Sequence, residues 1–363
     1  MQPVANVSEI TAAIERIAPN ALAESWDNCG LQVGSPGSEV NRILVALTPL
    51  PEVFDEAEEL GADFLLFHHP LIFGGLDSVD TASYPGGLVA RAIRNCITVY
   101  AAHTSYDAAP EGVSVALANA LGLHGPLEVV SPRGGLRKLV VFVPKDNVEP
   151  VADALDEAGA GVIGDYTHCT FRTPGTGTFL PGESSDPYLG RRGELEKVQE
   201  VRLETIVPAH LASQVAAAAT AAHPYEETAL DIYPVEGHPA GCGYGRVGRL
   251  PQPLEPGELL EKVSTSLGLP ARLVADPEPE RRVERVAVLG GSGGSFIPEV
   301  AASGAQAYVT SDLDYHDALL AESLGLAAID AGHVATELPS LAPLARRLTE
   351  LVDVPVEVSR VQR

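Results

Sequence analysis

Two adjacent imidazoles, His68 and His69, stand before Pro70 at the end of the apolar run DFLLF (Asp63 to Phe67). The next apolar run, ITVYAA (Ile97 to Ala102), is followed at once by His103 and, four residues on, by Asp107. Far along the chain LAAID (Leu326 to Asp330) leads through AGH to His333 and then Glu337, and if a helix begins there the i, i+4 spacing places both on one face. This mixture of imidazole nitrogen and carboxylate oxygen suits Zn, Fe, Mn, Co or Ni, with no thiolate competing. Six such groups exceed what one ion with open positions uses. A carboxylate such as Glu337 can bridge two ions about 3.5–4 Å apart and leave a shared water as a nucleophile of lowered pKa, so the pattern points to two divalent ions.

Each pair also has a plain structural reading. A histidine pair at a strand end can cap loops, and His333 with Glu337 can be a surface helix pair contributing about 0.2–0.5 kcal/mol. Joint occurrence outweighs that reading, because six candidate ligand groups gather at three strand ends in a chain with only 10 histidines.

Weaker candidates lie nearby. GGSGGS (Gly290 to Ser295) follows a strand and precedes a helix, so its N–H groups could cradle an anion, although GxGxxG spacing and a Walker lysine are missing and a plain tight turn serves equally. SDLDYHD (Ser311 to Asp317) offers Asp312, Asp314, His316 and Asp317 and reads first as an Asp helix cap with acids in the first turn, while His316 could still face the metals. No GxSxG elbow supports a serine triad, and Cys29 reads as a small packed residue.

These groups need strands to aim them. RILVALT (Arg42 to Thr48), DFLLF and ITVYAA alternate with helix-like stretches at 52–60 and 87–95, and 7–17 reads as an opening helix with Asn6 before Glu9 as its capping pair. The rhythm returns in ERVAVLG (Glu284 to Gly290), QAYVTS (Gln306 to Ser311) and LAAID, separated by helical stretches at 296–303 and 315–324. Such βαβ alternation predicts an α/β fold with largely parallel sheets, covered on both faces, whose sites lie at the carboxyl ends of the strands. Between the halves the texture changes to a ferredoxin-like α+β pattern edged by SPRGG and EGHPAGCG. The predicted layout is an N-terminal lobe over 1–130, an insert over 131–240 and a C-terminal lobe over 241–363.

Composition removes other classes. The 363 residues suit two or three domains. A net charge of −25 repels phosphate backbones and anionic membranes, and without a local basic patch nucleic-acid binding is not expected. Four scattered cysteines fit a reducing compartment, and the first residues lack the charged-then-apolar pattern of a leader, so a cytoplasmic location is expected.

Taken together, WDNCGLQVG (Trp26 to Gly34), FHHPLIF, AAHTSYD, TSDLDYHD and AGHVATE resemble the Nif-three-like family of dinuclear-metal proteins. The middle segment, with TPGTGTF and AHPYEETALDIYP, is similar to the PII/CutA-like insert of its long bacterial members. The resemblance implies that His68, His69, Asp107, His333 and Glu337 hold two metal ions, Glu337 being shared. Within it His103, His316 and Asp312 are supporting or catalytic candidates. It further implies two similar αβα lobes and a ring-shaped homohexamer, a trimer of dimers, with metals facing an interior cavity. Relatives carry a GTP cyclohydrolase type-two-like label, which implies metal-dependent hydrolysis of a small molecule such as a nucleotide or phosphoester. The alternative is a metal-binding scaffold or regulator whose PII-like insert senses a ligand, with His223, Glu226 and Glu227 of HPYEE as insert candidates.

Overall fold

The computed structural model describes residues 5–362, so Met1–Val4, part of the leader reading, lie outside them. The chain divides into two compact units: one runs to Pro132 and resumes at Gly241, and the other is Arg133–Ala240.

In the first unit, a five-stranded sheet runs in the order 356–358, 43–46, 64–67, 98–101, 30–33. Its first four strands are mutually parallel and the last is antiparallel. Every residue of Ile43–Ala46, Phe64–Phe67 and Thr98–Ala101 is buried, which requires cover on both faces. The period-two alternation divides them between two cores. Ile43, Val45, Phe64, Leu66 and Tyr100 pack with Ile10, Ile14 and Ile17 of helix Val7–Ile17 and with Leu344 and Leu348 of helix Leu341–Thr349. Leu44, Ala46, Leu65, Phe67 and Val99 pack on the other side with Phe54 of helix Pro51–Leu60 and Val89 of helix Gly86–Arg94. Asn6 and Glu9 form the reciprocal capping box that their spacing predicts.

The second sheet of this unit is mixed. Its order is 272–275, 327–330, 307–311, 283–292, 243–254, 124–132, and only the strands 283–292, 307–311 and 327–330 run parallel to one another. The remaining pairings are antiparallel, which corrects the expectation of a largely parallel sheet. His124–Pro132 and Gly243–Leu254 enter from either side of the 133–240 segment and pair directly, a geometry that needs no crossover helix. Glycines and prolines inside Gly243–Leu254 hide that strand from pattern reading. Each sheet also takes an edge strand from the other half of the chain: 124–132 pairs among C-terminal strands, and 356–358 pairs with 43–46.

The second unit is a four-stranded antiparallel sheet in the order 230–235, 136–144, 196–208, 170–179. Helices Val148–Glu157 and Ala212–Ala222 supply Val151, Leu155, Val215 and Ala219 to a core with Leu139, Val141, Val143, Leu203 and Val207. Among the described residues no helix is long and apolar enough to cross a membrane.

Candidate metal centre

The two parallel strand ends of the first sheet set the geometry. Strand pairing runs one step past Phe64–Phe67, where His68 N–H donates to the Ala46 carbonyl (3.1 Å) and His69 N–H to that of Leu47 (2.9 Å). Next to it, Ala102 N–H donates to Phe67 O, and His103 opens the single helical turn Thr104–Asp107. From the second sheet, Asp330 ends strand Ala327–Asp330, and the short helix His333–Glu337 follows Gly332.

Each of the four imidazoles is anchored through Nδ1: His68 to Ala102 O (3.0 Å), His69 to Thr48 Oγ1 (3.0 Å), His103 to Asp27 Oδ1 (2.9 Å) and His333 to Asp312 Oδ2 (2.6 Å). For His68, His103 and His333 the partner can only accept, so Nδ1 carries a proton and, in the neutral ring, Nε2 holds the lone pair. Those inner atoms gather. Ligand atoms of His68, His69 and His103 lie within 4.8 Å of one another, as do those of His69, His333 and Glu337. Glu337 Oε2 is 3.0 Å from His69 Nε2, while Oε1 is 3.1 Å from His333 Nε2 and 3.5 Å from His68 Nε2. Asp107 Oδ1 is 3.7 Å from His68 Nε2.

The donor set fits cations. His68 Nε2, His69 Nε2, Asp107 Oδ1 and Glu337 Oε2 are all buried with no hydrogen-bond partner, the 3.0 Å approach of His69 being out of line for one. Buried polar atoms without partners are costly, so their collection in one place marks a site meant to be filled. Glycine makes room for it: a Cβ on Gly291, at φ +72°, would lie 2.6 Å from Glu337 Oε1.

Electrostatics agrees. Burial alone would raise the Glu337 carboxyl, but the imidazoles of His68, His333 and His69 hold it well below the usual range. Burial pushes Asp107 up to about 6 despite His68. Burial lowers His68, yet Asp107 and Glu337 more than offset it and bring it to about 9; the Glu337 hydrogen bond brings His333 to about 9 as well. Without a cation the cluster therefore gathers protons in its place.

Among the predicted site residues, His68, His69, Asp107, His333 and Glu337 converge, and His103 joins them as a member of one close group rather than at a distance. Asp312 orients His333. His316 is exposed, with its ring against Tyr315, and is not in either close group. In the second unit, His223 is buried and both ring nitrogens are engaged, Nε2 with Phe142 O and Nδ1 with Tyr225 N–H. Glu226 and Glu227 line a separate cavity of about 470 Å³, where Glu226 accepts from Asp186 N–H.

Sequence reading missed Asp27. Its fully buried carboxylate accepts from His103 Nδ1, from Thr104 N–H and Oγ1, and from the Cys29 thiol, and although burial opposes ionisation, His103 and Thr104 hold it far below the carboxylate range. An acid in a turn gives no sign of this. Only the antiparallel pairing of Gly30–Val33 with Thr98–Ala101 brings Asp27 beside His103. Arg246 was also invisible: buried without a carboxylate, it donates to the carbonyls of Ala109, Pro110, Gly241, Gly243 and Gly245 and so pins the segment after Asp107.

A mixed α/β unit with anchored imidazoles and carboxylates converging at strand ends defines a protein able to hold metal. The chain belongs to the Duf34/NIF3 (NGG1p interacting factor 3) family, whose model matches residues 5–363. Among curated relatives, the GTP cyclohydrolase 1 type 2 homolog of Halalkalibacterium halodurans is 40% identical over 336 residues, 91% of this chain and 89% of the relative. The protein of the same name from Bacillus subtilis is 41% identical over 349 residues, 95% and 92% of the two chains. The crystal structure of a Bacillus cereus protein related to NIF3 aligns with TM-score 0.88 at 40% identity, covering 99% of this chain and 98% of that one. Staphylococcus aureus SA1388 aligns with TM-score 0.75 at 28% identity, over 99% and 97% of the two chains.

Proposed function

We propose that this protein is a metal-dependent hydrolase whose centre holds two divalent ions through His68, His69, Asp107, His333 and Glu337, with Glu337 shared. The observation that carries the reading is the set of four Nδ1-anchored imidazoles around one buried carboxylate, with four buried polar atoms left unpartnered. The relatives' name, GTP cyclohydrolase 1 type 2 homolog, supports hydrolytic opening of a ring. Zn, Fe, Mn, Co and Ni all accept this donor set. When bound, such ions supply Lewis-acid polarisation and a water of lowered pKa. The chain's own groups do the rest. Asp27 and Asp312 hold the His103 and His333 rings in one orientation, and His103 Nε2 is left to take up or return a proton at the cleft.

The test is metal content per chain beside turnover. Wild type should hold about two ions, and His69→Ala or Glu337→Ala should lose metal and at least a hundredfold of any nucleotide or phosphoester hydrolysis while keeping the oligomer. Equal turnover in those variants would sink the hydrolase reading.

A second reading, a metal-holding regulator, draws on the cavity of about 470 Å³ in Arg133–Ala240, lined by Phe179, Tyr188, Tyr225, Glu226 and Glu227. We read that unit as ferredoxin-like, since its strands follow a βαββαβ sequence with the first and third in the middle. A homohexamer in the cytoplasm completes the proposal, and sedimentation equilibrium gives the subunit number directly.

A further inference from the structure

The second unit, Arg133–Ala240, holds a cavity of its own, about 470 Å³, built from two sequence stretches that the metal centre leaves unused. TPGTGTF supplies Gly177, Thr178 and Phe179 from strand Thr170–Phe179, and HPYEE supplies Tyr225, Glu226 and Glu227. Tyr188, 55% exposed, joins them from the loop after that strand, and Phe142 adds a fourth ring. The Tyr225 ring is 5.8 Å from that of Phe179 and 6.3 Å from that of Tyr188, so three of the four rings form one wall.

Carboxylates are set among the rings. Tyr225 O–H donates to Glu200 Oε1 (3.0 Å), and Asp186 N–H donates to Glu226 Oε1 (2.8 Å). Both donors are neutral, so they orient the two carboxylates without cancelling their charge. Glu227 also lines the cavity, is exposed, and has no hydrogen bond or ion pair among the described residues. Glycine makes room for Glu200, since a Cβ on Gly177 would lie 2.0 Å from its Oε2. No lysine or arginine lines the cavity. Arg202, 5.8 Å over the Phe142 ring, is already paired with Glu204 at 2.8 Å. His223, beside Tyr225, accepts at Nδ1 from Tyr225 N–H and faces Phe142 O with Nε2, which requires a neutral ring.

We infer that this cavity binds a small organic cation, an alkylammonium whose charged nitrogen sits against the Tyr188 and Tyr225 rings with Glu200, Glu226 and Glu227 around it. Aromatic faces attract a cation through the ring quadrupole, and the pull grows as the nitrogen loses its water. Carboxylates add a longer-range attraction and favour the cation over a neutral or anionic molecule of the same shape. For a sensing role the inference rests on the regulator reading above, whose ligand class it names. The binding site itself uses no group of the metal centre.

The experiment titrates the full chain by calorimetry with choline and with putrescine, beside butyrate and the uncharged alcohol in which carbon replaces the choline nitrogen. At least one of the two cations should bind saturably and at least tenfold more tightly than the alcohol, with butyrate not binding. Tyr188→Ala, at an exposed loop position, should weaken the cation about tenfold. Glu227→Gln should weaken it severalfold, a loss that shrinks as salt is raised. Metal content should be unchanged in both variants. No saturable binding of either cation, an alcohol that binds as tightly, or an affinity unaltered in both variants would each overturn the inference. Cation binding that moves neither metal content nor turnover would leave the site standing while removing the regulator reading.

Discussion

At the scale of single residues, the site is decided by what sits behind the ligands. Asp312 holds His333 from a left-handed backbone position (φ +57°), a conformation asparagine also adopts readily. Asp312→Asn should therefore keep the backbone while replacing an ionic acceptor with an amide. Metal affinity should drop about 10–100-fold, read by chelator competition, with unfolding of the second unit untouched. An unchanged affinity would mean that the helix alone orients His333. The ligands must also shed protons to bind a cation. Metal affinity should fall steadily as pH is lowered from about 8 to 5, and a flat profile in titration calorimetry would count against imidazole ligation. Asp27 and Asp312 share one logic: each is a carboxylate on a loop behind a histidine. Neither could be assigned that job from spacing, because each lies far along the chain from the histidine it holds or belongs to another strand end.

At the scale of elements, sequence patterns located the strands that carry the ligands, because continuous apolar runs bounded by turns mark strands buried on both faces. They were silent on edge strands such as Arg272–Ala275 and Val356–Val358, which are short and only partly buried. The last of these is secured by an ion pair that no periodicity announces. Glu56 on helix Pro51–Leu60 accepts from Ser359 Oγ and from Arg360 N–H and Nε, and although burial opposes ionisation, those donors lower its pKa. A carboxyl depressed in the folded state stabilises fully above its unfolded value, 4.5, and loses that contribution as pH falls through the folded value. Glu56→Gln should thus cost roughly 1–2 kcal/mol at neutral pH, with the difference narrowing as urea unfolding is repeated below pH 4.5. A pH-independent difference would show that packing, rather than charge, is what the substitution removes.

At the scale of the whole molecule, two units with separate cores predict two unfolding events. Among the described residues the groups that could hold a metal all belong to the first unit, so on the metal-site proposal chelation should lower one calorimetric transition by several degrees and leave the other in place, and adding back zinc should restore it. A single transition that shifts as a whole would show that the units unfold as one.

The chain by itself determined the metal chemistry on offer: histidines and acids following apolar runs, a helix opening at Asn6, and a change of texture near residue 131 are all local, and local patterns are what propensity and periodicity record. Tertiary structure alone decided which of those groups meet. His316 lies a few residues from Asp312 in sequence yet points away to Tyr315, whereas His103 and His333, from different sheets, both reach His69. The same holds for Asp27 and for the room left by Gly291. Each depends on pairings between strands distant in sequence, whose free energy comes from burying two faces of a sheet at once and leaves no periodic trace in the residues being brought together.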